Sequence, residues 1–204
     1  MTAITSATAL WYASRATGVV ALGLLTGTMV LGLMVAGRGR LPGLPRFGVT
    51  SLHRSLSLLA VTFVAVHVLT AIADPYVTIG VAAAVVPFVS PYEPLWTGLG
   101  AVALDLTAAL VVTSLARARL GRRAWRAVHW LAYATWPVAF AHGVGAAADL
   151  RGGVLLAFAI LCVVFVVVAV TWRAARPTGA RTGFRGNSEP IQKSGRASSA
   201  ILRG

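Results

Sequence analysis

The chain holds four histidines, His53, His67, His129 and His142, and their spacing is the first sign of chemistry. His53 and His67 lie fourteen residues apart in TSLHRSLSLLAVTFVAVHVLTAIAD (50–74), a mostly apolar stretch long enough to cross a bilayer. A helix would place them about 21 Å apart along its axis and about 40° apart around it, so both address one neighbour. His129 and His142 lie thirteen apart in RAWRAVHWLAYATWPVAFAHGVGAAAD, a second apolar segment. Thirteen helical residues span about 19.5 Å, so two parallel helices would present matched imidazoles at two depths.

Ionisable side chains inside a membrane span are functional by default, and two imidazoles facing each other at one depth suit the axial ligation of a haem. His53 with His129 would hold an inner haem iron, and His67 with His142 an outer one. Bis-histidine ligation fills both axial positions, which leaves outer-sphere electron transfer as the expected role. Two haems stacked along the membrane normal would carry electrons across a barrier that polar carriers cannot cross. Arg54, beside His53, and Arg126 are candidates to pair with an inner haem propionate, and Arg15 with an outer one. The same arginines also serve as topology markers. Trp125, Trp130, Tyr133 and Trp136 could pack on a porphyrin, form an interfacial belt or fill ordinary core.

One phase problem follows from the spacing. Thirteen residues turn His142 about 140° away from His129 on an ideal helix. Pro137 lies between them and Gly143 follows, so a kink or a π-bulge is predicted to absorb the error.

The elements that must position these residues are membrane helices. Of 204 residues 57% are hydrophobic and 11% charged, and the mean hydropathy is +0.79, too apolar for a soluble domain. The expected fold class is all-α, a polytopic membrane helix bundle with five transmembrane helices. The first span covers about Thr8 to Gly37, with Trp11 and Tyr12 at an interfacial level and no basic leader before it. Gly23 and Gly27 share one face, with Gly18 and Gly32 nearby, and close helix contact is the default use of such residues. After the first histidine helix, PYVTIGVAAAVVPFVSPYEP (75–94) is broken by prolines and should be an interfacial or re-entrant segment that caps one face. The third span, about Leu95 to Ala116, carries Asp105 near its middle. It should face the bundle, bonded to a Ser or Thr or acting in a proton relay. A basic loop, RARLGRRAWR, precedes the second histidine helix, and a fifth span covers about Gly153 to Trp172.

The single cysteine, Cys162, excludes an intramolecular disulfide, a zinc ribbon and a thiolate-held iron–sulfur cluster. A net charge of +13 raises the question of nucleic acid, but the arginines flank apolar spans and no nucleic-acid partner is expected. The haem-binding transmembrane domain is expected over 1–173, and 174–204, rich in Arg, Gly and Ser, reads as a basic disordered cytoplasmic tail. Arg38, Arg40, Arg46 and Arg54 flank one connection and Arg117, Arg119, Arg122, Arg123 and Arg126 another. The positive-inside rule then puts the N-terminus outside, the C-terminus in the cytoplasm and the protein in the cell membrane as a multi-pass protein.

The pairs H-x13-H (His53, His67) and H-x12-H (His129, His142) on alternate helices, with WYASRATGVVALGLL and WRAVHWLAYATWPVAFAHG around them, resemble the ferric reductase-like transmembrane domain. That superfamily includes ferric reductases, NADPH oxidases and the haem subunit of the bacterial methionine sulfoxide reductase system. The resemblance spans about Trp11 to Trp172 and implies two b-type haems and electron transfer across the membrane. The chain departs from the oxidases in showing no G-x-G-x-x-G fingerprint and no room after the fifth span for a flavin or nicotinamide domain. The donor is therefore expected to be a separate flavoprotein or a quinol, with an extracytoplasmic acceptor. Two other readings stay open: a metal or proton transporter using the intramembrane histidines and Asp105, and a membrane anchor whose haem is structural.

Overall fold

The computed structural model describes residues 2–37, 39, 45–75, 77 and 79–175. Most of the expected tail, and the centre of the first basic connection with Arg38 and Arg40, lie outside the described residues. Among the described residues seven helices follow in chain order: α1 (Thr2–Ala36), α2 (Arg46–Ala73), α3 (Val81–Val85), α4 (Pro94–Leu115), α5 (Arg117–His129), α6 (Ala132–Ala146) and α7 (Gly153–Ala175), with a 3₁₀ turn at Ala148–Arg151 before the last.

Four of them, over Thr8–Ala36, Phe47–Ala73, Pro94–Leu115 and Gly153–Ala175, are long and apolar enough to cross a membrane. Their limits follow from local chemistry. Pro75 cannot extend α2, and Pro94, lacking an N–H that would be orphaned there anyway, opens α4 after Glu93 takes a left-handed backbone at φ 41°. The protein is a multi-pass membrane protein.

The segment read as a fourth span departs from the expectation. Its basic part is not a loop but the amphipathic helix α5, bent where Gly121 adopts φ 73°, and its five arginines are all exposed. The apolar part is α6, fifteen residues and about 22 Å long. Between them the helix is overwound: the Leu131 amide donates to Val128, Tyr133 to Trp130 and Ala134 to Leu131, at 2.9, 3.1 and 2.9 Å. These are i to i+3 bonds, and a 3₁₀ pitch turns about 20° more per residue than an α pitch. The distortion expected between His129 and His142 is thus present. It is centred on Trp130–Leu131 and not on Pro137, which sits inside α6.

Helix α1 is the spine, packed on α2, α6 and α7, while α4 packs on α6. One core cluster joins Leu22 of α1, Leu150 and Ala159; a second joins Trp136 of α6 to Cys162 and Val166 of α7. The Trp136 indole donates to Thr26 Oγ1 at 2.9 Å, and that hydroxyl donates to the Leu22 carbonyl at 2.8 Å. Cys162 is therefore core. Asp105 is not: it lies exposed on the side of α4, which corrects the expectation that it faces the bundle.

Candidate functional site

Two histidine-bearing elements face each other across the bundle. His67 of α2 and His142 of α6 bring their ring centroids to 6.1 Å, with the planes at 66°. An iron held by two imidazole nitrogens at about 2.0 Å each would separate the centroids by roughly 6 Å. His53 of α2 and His129 at the end of α5 are close enough to interact electrostatically. The structure so brings together His67 with His142 and His53 with His129, and the two elements run in the same direction.

Three of the four rings are oriented by a neighbouring helix. His67 Nδ1 lies 2.8 Å from the Ser14 carbonyl, His142 Nδ1 2.7 Å from the Trp96 carbonyl, and His53 Nδ1 3.1 Å from the Thr28 carbonyl. A carbonyl only accepts, so in each case Nδ1 carries the proton and donates. Nε2 is left with its lone pair, the form a metal-bound imidazole needs, and the second hydrogen bond raises its basicity. His129 differs. Its Nδ1 is buried without a partner, and Trp125 stacks on its ring with centroids 4.8 Å apart.

A cavity of about 230 Å³ surrounds the His67–His142 pair, walled by α1, α2, α4 and α6. Its lining is mostly apolar, including Leu22, Leu25, Val68 and Leu104, as a porphyrin face requires. Asp74, at the end of α2, and Ile79, Ala83 and Tyr92 of the connection that follows also line it. Phe88 in that connection takes φ 66° and lies against Gly98, where no side chain could fit.

Arg15 also lines this cavity. Its guanidinium pairs with Asp149 and lies over the Trp11 ring, 4.2 Å from the centroid. A guanidinium has five donor hydrogens, so the ion pair leaves others for an anionic group in the cavity. Arg54, beside His53, and Arg126, three residues before His129, are exposed, and neither lines this cavity.

Sequence reasoning took Gly18 and Gly32 as helix contacts and did not single out Gly100. A Cβ at Gly18 would lie 3.0 Å from His67 Cε1, and one at Gly100 would lie 2.7 Å from His142 Cε1. At Gly32 the distance to His53 Cε1 would be 3.3 Å. The available signal was the interval from Gly18 to Gly32, fourteen residues, the same as from His53 to His67.

Among comparisons with known proteins, the family model described as ferric reductase like transmembrane component matches residues 17–140, more than half of the chain. No curated protein and no solved structure matches it.

Proposed function

The chain belongs to the ferric reductase-like transmembrane family, and from that premise we propose that it is a di-haem b membrane protein. It passes electrons from a separate cytoplasmic flavoprotein or quinol to an extracytoplasmic acceptor. Membership supports the coarser statement, a membrane electron-transfer component. The finer reading is carried by one observation: His67 and His142 face each other at 6.1 Å with each Nδ1 committed to a backbone carbonyl.

His67 and His142 would hold the outer haem, and His53 and His129 the inner. When bound, a bis-imidazole haem supplies one-electron chemistry with no open coordination position. The protein's own contribution is positional. Ser14, Thr28 and Trp96 carbonyls fix the tautomer and aim Nε2, and the leucines and valines of the wall exclude water. Arg15 offers positive charge for a propionate at the outer site, and Arg54 and Arg126 are placed to do the same at the inner end. With α6 counted as a span, five crossings put the arginine-rich α5 and the C-terminus in the cytoplasm and the His67–His142 level towards the outside. The transporter reading has less support, because among the described residues no three His, Cys, Asp or Glu side chains converge on a metal position.

The deciding experiment is an optical spectrum of the purified protein, oxidised and dithionite-reduced, with pyridine haemochrome quantitation. Two low-spin b haems per chain are expected. Absence of haem from a host supplied with it overturns the proposal.

A further inference from the structure

Three of the four histidines share a device. The carbonyl that accepts from His67 belongs to Ser14, and the glycine under that ring is Gly18, four residues later. Thr28 and Gly32 stand in the same relation to His53, and Trp96 and Gly100 to His142. The repeat has a physical cause. In an α-helix the carbonyl of residue i already accepts the N–H of residue i+4, and its second lone pair is reached from the side over residue i+4. A Cβ at that position would stand where the imidazole must lie; glycine leaves the groove open.

His129 has no such seat. Helix α5 meets the end of α4 where the Trp125 indole donates to Ser114 Oγ at 3.5 Å, and the residue before that serine is Thr113, not glycine. The carbonyl four residues earlier, Ala109, is taken at 2.6 Å by the Thr113 hydroxyl itself. His129 Nδ1 is left buried and unpartnered, and so is Thr28 Oγ1 on the helix that seats His53.

We propose that Gly18, Gly32 and Gly100 are positioning residues for the histidine ligands, each opening a helix carbonyl to an imidazole Nδ1–H, and that the unseated His129 makes the His53–His129 haem the exchangeable one of the two. The inference rests on the di-haem reading above. It adds an asymmetry that the four-histidine pattern does not contain: the outer haem is clamped through both ligands, the inner through His53 alone. A fixed imidazole keeps its place on iron against competitors, whereas an unanchored one can swing off and yield its position.

The test compares wild type with G18A, G32A and G100A by pyridine haemochrome and by low-spin EPR, which reads the set of the axial imidazole planes. G23A is the control, since a Cβ there meets Phe158 at 3.3 Å on the same helix but touches no histidine. G100A and G18A should each lose one of the two haems or displace its EPR signal. G32A, the least crowded, should do so less at the other haem, and G23A should leave both signals in place. The wild type supplies a measurement that no misfolded variant can spoil. Under carbon monoxide the reduced protein should convert one haem only, and H129A, left with the outer haem, should show no conversion. A wild type without haem overturns the functional reading. Two haems with unchanged G18A and G100A spectra overturn the glycine seats alone, and conversion of neither or both haems overturns the asymmetry.

Discussion

His67 of α2 and His142 of α6 stand with their ring centroids 6.1 Å apart, one held by the Ser14 carbonyl of α1 and the other by the Trp96 carbonyl of α4. Each of the two helices thus borrows its ligand's orientation from a third element. Replacing either ring removes half of one axial pair. H67A and H142A should each lose one haem and retain the other, with transmembrane reduction falling by at least about two orders of magnitude, since a missing relay cannot be bypassed in a dry interior. Haemochrome stoichiometry and reduction of an external acceptor by vesicles check this; reduction at the wild-type rate would favour the anchor reading.

Arg15 brings positive charge to the outer cavity, whose wall also holds Asp74, and Asp149 pairs with the guanidinium. A unit charge at about 10 Å in an effective dielectric of about 20 is worth about 1.7 kcal/mol, or about 70 mV for one electron. Removing a cation favours the oxidised, more positive iron. R15Q should therefore lower the midpoint potential of the outer haem by up to that amount. D149N should raise it by less, because Asp149 is half exposed to solvent. Spectroelectrochemical titration reads both signs, and a shift of the other haem instead would place Arg15 at the wrong end.

The pairing of the histidines in level was legible because intervals of fourteen and thirteen residues give nearly equal lengths, and a few residues at the 3₁₀ rise of about 2.0 Å instead of about 1.5 Å change that by only about 1–2 Å. The face was less legible. An ideal helix sends His142 about 140° astray, and overwinding at Trp130–Leu131, where the amphipathic α5 gives way to the apolar α6, recovers about 60° of it over three residues. Pro137 was the visible suspect because proline breaks helices in sequence terms, whereas a 3₁₀ turn has no residue that marks it. Asp105 was misplaced for a related reason. Helix α4 is apolar on every side, so nothing in its own sequence says which face meets the bundle. The glycines were read as helix contacts, which Gly23 and Gly27 are, towards Phe158 and Leu56. Only the three-dimensional pairing separates them from Gly18, Gly32 and Gly100.

The hydrogen bond from Trp136 to Thr26 ties α6 to α1 through the interior. T26V keeps the shape, removes the acceptor and leaves a buried indole N–H unsatisfied, which costs about 1–3 kcal/mol. Thermal unfolding in detergent should shift down accordingly. Haem stoichiometry should hold, because Thr26 touches no histidine; loss of haem in a folded T26V protein would show that α6 needs this tie to keep His142 in place.

Asp105 separates the electron-transfer reading from a proton relay. It stands exposed on α4 and does not line the cavity that holds His67 and His142. D105N should leave both haem spectra and vesicle reduction rates unchanged at every pH tested. A carboxylate at mid-span costs about 2.5–3.5 kcal/mol on insertion scales, whereas leucine is favourable by a few tenths. D105L should therefore insert better and resist heat better in lipid, if lipid is what that face meets. A D105L protein that instead leaves a complex isolated with the wild type would show that the carboxylate is matched by a polar group on another chain, because a favourable lipid contact gives no reason for a partner to be lost.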